Sequence, residues 1–165
     1  MHETTLTINN TPLRVISVNT VVVGTGAASL NCAVQLDRLG HADQLIVTEK
    51  VGGGTSINTG SDKQTYYKLS VAGTGPDCPY EMARSLFDGG AMHGDIALIE
   101  ATLSAQGFFH LVGLGVPFPH DRYGGYIGYK TDHDPRQRAT SVGPKTSMMM
   151  VQKLLAEVER RRIPI

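Results

Sequence analysis

The 165-residue chain has no tryptophan, only two cysteines, and 6% aromatic residues. Two thiols, Cys32 and Cys78, cannot form a disulfide framework, and they lack the CxxC spacing of a zinc or thiol-redox site. Cys32 falls in the apolar pattern of a helix, where a buried free thiol is expected. No charge is in excess, since 15 Lys+Arg balance 15 Asp+Glu, and charged residues are only 18%. Electrostatics therefore gives no reason to expect nucleic acid or an anionic membrane as the main partner. The first residues lack the basic-then-apolar order of a signal peptide, and no apolar run reads as a bilayer span. A soluble, reducing, cytoplasmic setting is the expectation.

Glycine is plentiful, with 19 residues, and hydrophobic residues make up 41%. Residues 1–18 read as a short hairpin or extension turning at Asn9-Asn10, because apolar and polar residues alternate on both sides. Residues 19–165 read as one α/β portion. Val21, Val22 and Val23 form a short, wholly apolar strand of the kind buried on both faces of a parallel sheet. Leu30, Ala33, Val34 and Leu36 then recur at helical spacing up to Gly40, and residues 44–50 supply the next strand. This is β-α-β with a right-handed crossover. Helices are expected from the Ser61/Asp62 cap, over 79–88, over 95–112 with Gly107 interrupting or kinking it, and over 145–161. A short strand is expected at Tyr126 to Tyr129. Two parallel strands leave the sheet unfinished, so the chain reads as the N-terminal piece of a larger protein.

Between the first strand and the helix stands Gly24-Thr25-Gly26-Ala27-Ala28-Ser29. The first glycine permits the tight turn, the second lets backbone approach a pyrophosphate, and the small Ser29 lets helix and strand pack closely. The helix N-terminus, with the amides of Ala27 and Ala28, offers free N–H groups and partial positive charge to phosphate. Alone this spacing is weak evidence. Its context strengthens it, because Glu49 ends the second strand, where a carboxylate accepts hydrogen bonds from ribose hydroxyls. That acid serves FAD and NAD equally. The stretch after it, Lys50 and the loop of residues 51–63, favours FAD. Gly53, Gly54 and Gly60 allow close approach, and Thr55, Ser56, Thr59 and Ser61 offer hydroxyls along a ribityl chain and ring. An NAD-binding dehydrogenase domain and a non-catalytic nucleotide-binding module remain the alternatives.

These segments, taken in order, resemble the flavoprotein subunits of the fumarate reductase/succinate dehydrogenase family. "VVVGTGAAS" and "IVTEK" resemble the family's first two strands, and "GGGTSINTGSDK" its flavin loop. Residues 85–119 resemble its helical stretch ending in GVPF. "RATSVGPKTSMMMVQKLL" resembles the segment that opens a helix beside the flavin. The resemblance implies a Rossmann-like FAD-binding domain with an incomplete parallel sheet and a helical insertion. It also implies hydride exchange between flavin N5 and an acid of fumarate or succinate type, with an electron donor as partner. Membrane-bound members link FAD to a histidine just before the loop threonine. Gly54 stands there instead, which implies non-covalent FAD. Lys145 and Ser147 stand where the family often has Arg and Gly. The family's catalytic arginine and substrate histidines lie beyond the matched part, so no catalytic residue is carried over.

Other polar clusters read as structural. Asp132, His133 and Asp134 are consecutive in a loop, a poor arrangement for converging on one metal ion. They are expected to be solvated, with Arg136 and Arg138 balancing them or steering a carboxylate. His110 and His120 have no spaced partner, and Met148, Met149 and Met150 suit packing. Tyr66 and Tyr67 suit packing or stacking near the ring.

Overall fold

A computed structural model describes residues 1–61, 64–132 and 134–165. They form two units, Met1–Thr59 with Met150–Ile165, and Gly60–Met149.

The first unit opens as the expected hairpin. β1 (His2–Ile8) pairs antiparallel with β2 (Thr11–Ser17), with Ile8 opposite Thr11. Asn9 and Asn10 sit at φ 49° and 60°. Both are left-handed, as a two-residue turn between right-twisted strands requires, and asparagine tolerates this region better than most residues.

β3 (Thr20–Val23), α1 (Ala27–Arg38) and β4 (Gln44–Val47) follow, with β3 and β4 parallel and Val22 opposite Ile46. The core here is Val22, Ile46, Leu30, Ala33 and Val34, all buried. Gln44 is buried too, and its side-chain amide donates to the Ala33 carbonyl at 2.9 Å. β3 is covered on one face only. Val21 and Val23 are 54% and 77% exposed, against the expectation of burial on both faces. The side chains of a strand alternate, and this two-stranded sheet has apolar cover only on the Val22 side. Cys32 is likewise exposed on α1, not buried.

α2 (Thr55–Asn58) is a single turn within what the sequence reads as a loop. α5 (Thr146–Arg160) buries Val151, Leu154 and Val158 on one face. Beyond it the Pro164 carbonyl accepts from the Ile46 N–H at 2.9 Å, so the chain runs beside β4. Arg160 pairs with Glu157 at 2.7 Å, and Arg161 bridges Glu157 and Asp37 at 2.6 Å each. Arg160 first, then Arg161, hold the Glu157 carboxyl down to about 2.

In the second unit, β5 (Tyr66–Tyr67) pairs antiparallel with β6 (Ala139–Thr140). The helix expected from the Ser61/Asp62 cap is therefore not formed at the tyrosines, while Asp62 lies outside the described residues. α3 (Pro79–Asp88) and α4 (Gly94–Gly113) match their expected positions. They pack through Met82, Ala83, Ala97 and Ala101. α4 is the described helix whose length and composition would also suit a bilayer, but part of it is buried against protein.

Gly107 does not interrupt α4. A Cβ there would come within 2.9 Å of the Tyr66 hydroxyl, so the glycine makes room for that ring. Around Phe108 stand the rings of Phe118 at 4.8 Å, Tyr126 at 5.1 Å and Tyr66 at 5.9 Å. The Lys68 ammonium lies 4.7 Å over the Phe108 ring, and burial pushes its pKa down. The strand expected over Tyr126 to Tyr129 is reduced to one bridge, Tyr129 to Ala139. At Gly128 a Cβ would lie 2.2 Å from the Gln137 carbonyl oxygen, so the two backbones approach as only glycine allows.

Candidate functional site

The turn after β3 has the backbone its sequence requires. Gly24 sits at φ 96°, a region that side-chain-bearing residues rarely adopt. Its N–H donates to the Val47 carbonyl at 2.7 Å, carrying the parallel pairing one step past the strands. Ser29 donates its hydroxyl to the Val23 carbonyl at 2.9 Å, stapling the first turn of α1 to the end of β3. The smallness expected at Ser29 thus comes with a bond.

α1 begins without a cap. Gly26 precedes it with no side-chain cap bond, and its first turn holds no acid. The first intrahelical bond is Leu30 N–H to the Gly26 carbonyl at 3.0 Å. The amides of Ala27, Ala28 and Ser29 precede it at the positive end of the helix dipole. Gly26 has φ −78°, open to any residue, and a Cβ there would meet the Ser56 hydroxyl at 3.4 Å. Neither strain nor a backbone neighbour demands glycine at this position. A group approaching from outside the chain would.

The segment after β4 is knotted to this turn through one carbonyl. The Lys50 C=O accepts from the Thr25 hydroxyl at 3.3 Å, the Thr48 hydroxyl at 3.3 Å and the Gly53 N–H at 3.0 Å. A Cβ at Gly53 would lie 3.0 Å from that carbonyl oxygen, so any side chain there would have to push the two apart by a few tenths of an ångström. Glu49 lies between Thr48 and Lys50, exposed, with no partner among the described residues. Gly54 caps α2 at φ 88°. The Thr55 and Ser56 hydroxyls donate to no other described residue. Thr59 differs, because its hydroxyl donates inward to the Thr55 carbonyl at 2.8 Å. It finishes α2 and does not point a donor outward.

The first unit therefore holds Gly24, Gly26, Ala27, Ala28, Ser29, Glu49, Lys50, Gly53, Gly54, Thr55, Ser56 and Thr59. Gly60 and Ser61 fall in the second, where the Ser61 N–H donates to the Pro144 carbonyl at 3.1 Å. Sequence reasoning missed Thr25, which is only 3% exposed in an otherwise open turn. The available signal was a hydroxyl residue between the two glycines, with Thr48 just ahead of the acid.

Solved structures share this arrangement of elements. Mycobacterium smegmatis Sdh1, solved with UQ1, matches with a TM-score of 0.76 at 17% identity, over 89% of this chain and 25% of its own. The E. coli quinol fumarate reductase subunit FrdA, solved as a mutant, matches with a TM-score of 0.72 at 14% identity, over 90% of this chain and 25% of its own. The chain has the fold of the succinate dehydrogenase and fumarate reductase flavoproteins. A Rhodococcus jostii 3-ketosteroid-delta4-(5alpha)-dehydrogenase, solved with 4-androstene-3,17-dione, matches with a TM-score of 0.61 at 17% identity, over 89% of this chain and 37% of its own. The chain thus spans about a quarter of the succinate dehydrogenase and fumarate reductase subunits. No family model matches the sequence, and no curated protein matches it.

Within this flavoprotein fold the other polar clusters are structural. Asp134 is 4% exposed, not solvated as expected, and Arg138 is 0% exposed. Arg138 donates to both oxygens of Asp77 at 2.7 and 2.9 Å, to Asp134 at 3.1 Å, to Ser85 at 2.9 Å and to the Tyr67 hydroxyl at 3.2 Å. It cannot reach out to a substrate carboxylate. Arg136 is committed to Glu81 at 2.7 Å. Asp132 is exposed, and His133 lies outside the described residues. His120 packs its ring on Tyr126 at 5.6 Å.

Proposed function

We propose that this chain carries the dinucleotide-binding part of an FAD-dependent oxidoreductase, with FAD held non-covalently. The uncapped α1 N-terminus behind Gly24, with Glu49 two residues past the end of parallel strand β4 and partnered by no described residue, carries this reading. The amides of Ala27, Ala28 and Ser29 would hold the pyrophosphate, favoured by the helix dipole. Glu49 would accept from the adenosine ribose hydroxyls. Gly53, Gly54, Thr55 and Ser56 would line the next stretch of cofactor, with glycine allowing close approach and hydroxyls free to donate. The fold shared with flavoprotein subunits favours FAD over NAD for the same cradle. When bound, the flavin supplies hydride exchange at N5 with a carbon–carbon bond beside a carboxylate. An unsaturated acid of fumarate type is the proposed substrate, with a separate electron donor and a cytoplasmic setting. No residue of this chain is assigned to the chemical step.

A visible absorption spectrum of the purified protein, before and after acid precipitation, tests the cofactor. Flavin bands that pass to the supernatant are expected. Bands left in the pellet would mean a covalent link and would overturn the role of Gly54. A folded protein that takes up NADH but no flavin would favour the NAD alternative. Indifference to both would favour a turn with a structural role only. In the flavin-loaded protein, Glu49→Ala should weaken FAD retention by about tenfold, the worth of one hydrogen bond to a charged group. Unchanged retention would remove the ribose role.

A further inference from the structure

We propose that Thr25 is a positioning residue of the nucleotide cradle, setting the glycine turn and Glu49 at a fixed separation. The proposal rests on the dinucleotide reading above. A dinucleotide touches the turn through its pyrophosphate and Glu49 through its ribose. The spacing of those two groups is fixed by covalent bonds. The protein must hold its two contact points at the matching spacing, since small misplacements of positioned groups weaken binding steeply.

Two kinds of bond join the contact points in this structure. The Gly24 N–H to Val47 carbonyl bond aligns the ends of β3 and β4 but stops short of Glu49. Thr25 reaches past it. Its hydroxyl lies 3.3 Å from the Lys50 carbonyl and 3.4 Å from the Thr48 hydroxyl. Those are the two residues flanking Glu49, and the bond to the Lys50 carbonyl ties the backbone just after the carboxylate to the turn. Thr48 donates to the same Lys50 carbonyl at 3.3 Å, so the two hydroxyls converge on one acceptor. Thr25 is 3% exposed, so water does not compete for its hydroxyl. Thr25 itself would touch no cofactor atom, because its hydroxyl is turned to Lys50. Its effect runs through Glu49.

The test is a double-mutant cycle read by FAD dissociation from the intact protein. Thr25→Val keeps the shape and removes the donor. The Lys50 carbonyl keeps Thr48 and Gly53 as donors, so no buried acceptor is orphaned and the fold should survive. Thr25→Val is expected to loosen FAD by about tenfold, while Thr25→Ser, which restores the hydroxyl, stays within about twofold of wild type. In a Glu49→Gln background the Thr25→Val effect should shrink to under about threefold, because the two residues act in series. Any one of three results overturns the proposal. The first is wild-type FAD retention in Thr25→Val. The second is Thr25→Ser as weak as Thr25→Val, which would mark packing as the cause. The third is full additivity with Glu49→Gln, which would separate Thr25 from the carboxylate. A wild-type protein that takes up no FAD fails differently, sinking the dinucleotide reading itself and this proposal with it.

Discussion

Arg138→Met is expected to lower stability by about 3–5 kcal/mol at neutral pH, the usual effect of removing one partner from a buried ion cluster. The Arg138, Asp77 and Asp134 side chains are 0%, 0% and 3% exposed. Methionine fills much of the arginine volume, so the loss would come from two stranded carboxylates and not from a cavity. The pH dependence should separate this cause from poor packing. In the native protein burial pushes the Asp77 carboxyl up. The Arg138 guanidinium, with the Ser70 and Cys78 amides, outweighs burial and leaves it below the ordinary 3.8. A carboxyl depressed in the folded state binds fewer protons there than when unfolded. Its stabilisation is present above the ordinary value and is lost as pH falls through the folded one. Without Arg138 the sign reverses. The buried Asp77 carboxyl would then titrate above its unfolded value, and the variant should gain stability as pH falls from 7 toward 5. Denaturant titrations at several pH values would show it. A loss under about 1 kcal/mol, or a variant with the wild-type pH slope, would mean that Arg138 does not neutralise the cluster.

The sequence contained the elements joined by short-range chemistry. The Asn9-Asn10 turn, the valine strand, the glycine turn and the periodic faces of α1, α3, α4 and α5 all follow from residues within a few positions of one another. Arg138 does not. Its partners Asp77 and Asp134 lie 61 and 4 residues away, and the guanidinium that buries the nearer one is held by both oxygens of the farther one. Seen as a string, residues 131–138 are a charged loop. The same limit explains β5. Tyr66 and Tyr67 gain strand geometry from pairing with Ala139 and Thr140, which no local pattern announces. Val21 and Val23 show the converse case. Their apolar run was legible, but their exposure depends on what packs on that face of the sheet, a property that strand composition does not carry.

The candidate site was legible where backbone conformation decides it. A φ of 96° at Gly24 is something glycine alone announces. It was less legible where side chains choose between equivalent partners. Thr55, Ser56 and Thr59 are alike as hydroxyl residues, yet Thr59 spends its donor on closing α2. Thr25 escaped notice because its importance lies in a carbonyl that belongs to residue 50.

The same distinction sets the largest expected effect on cofactor binding. Gly24→Ala should weaken FAD retention by about a hundredfold, with a stability loss of about 1–3 kcal/mol, because a side chain at this positive φ is strained. Relief of the strain would rotate the peptide away from the Val47 carbonyl, now 2.7 Å from the Gly24 N–H. The three amides at the start of α1 would move together, which is why the effect exceeds that of Glu49→Ala. Gly26→Ala supplies the control that strain alone cannot imitate. Its φ of −78° accepts alanine, and the added Cβ would meet only the Ser56 hydroxyl at 3.4 Å. The apoprotein should therefore lose no more than about 1 kcal/mol, the cost of alanine in place of glycine at a helix N-cap. FAD retention should still fall, because the methyl group would occupy the space a pyrophosphate needs. Thermal melts of the two apoproteins beside their flavin spectra would settle the matter. If Gly26→Ala bound FAD as tightly as wild type, no phosphate would approach the second glycine, and the turn would be a strand-to-helix bend with no phosphate in it.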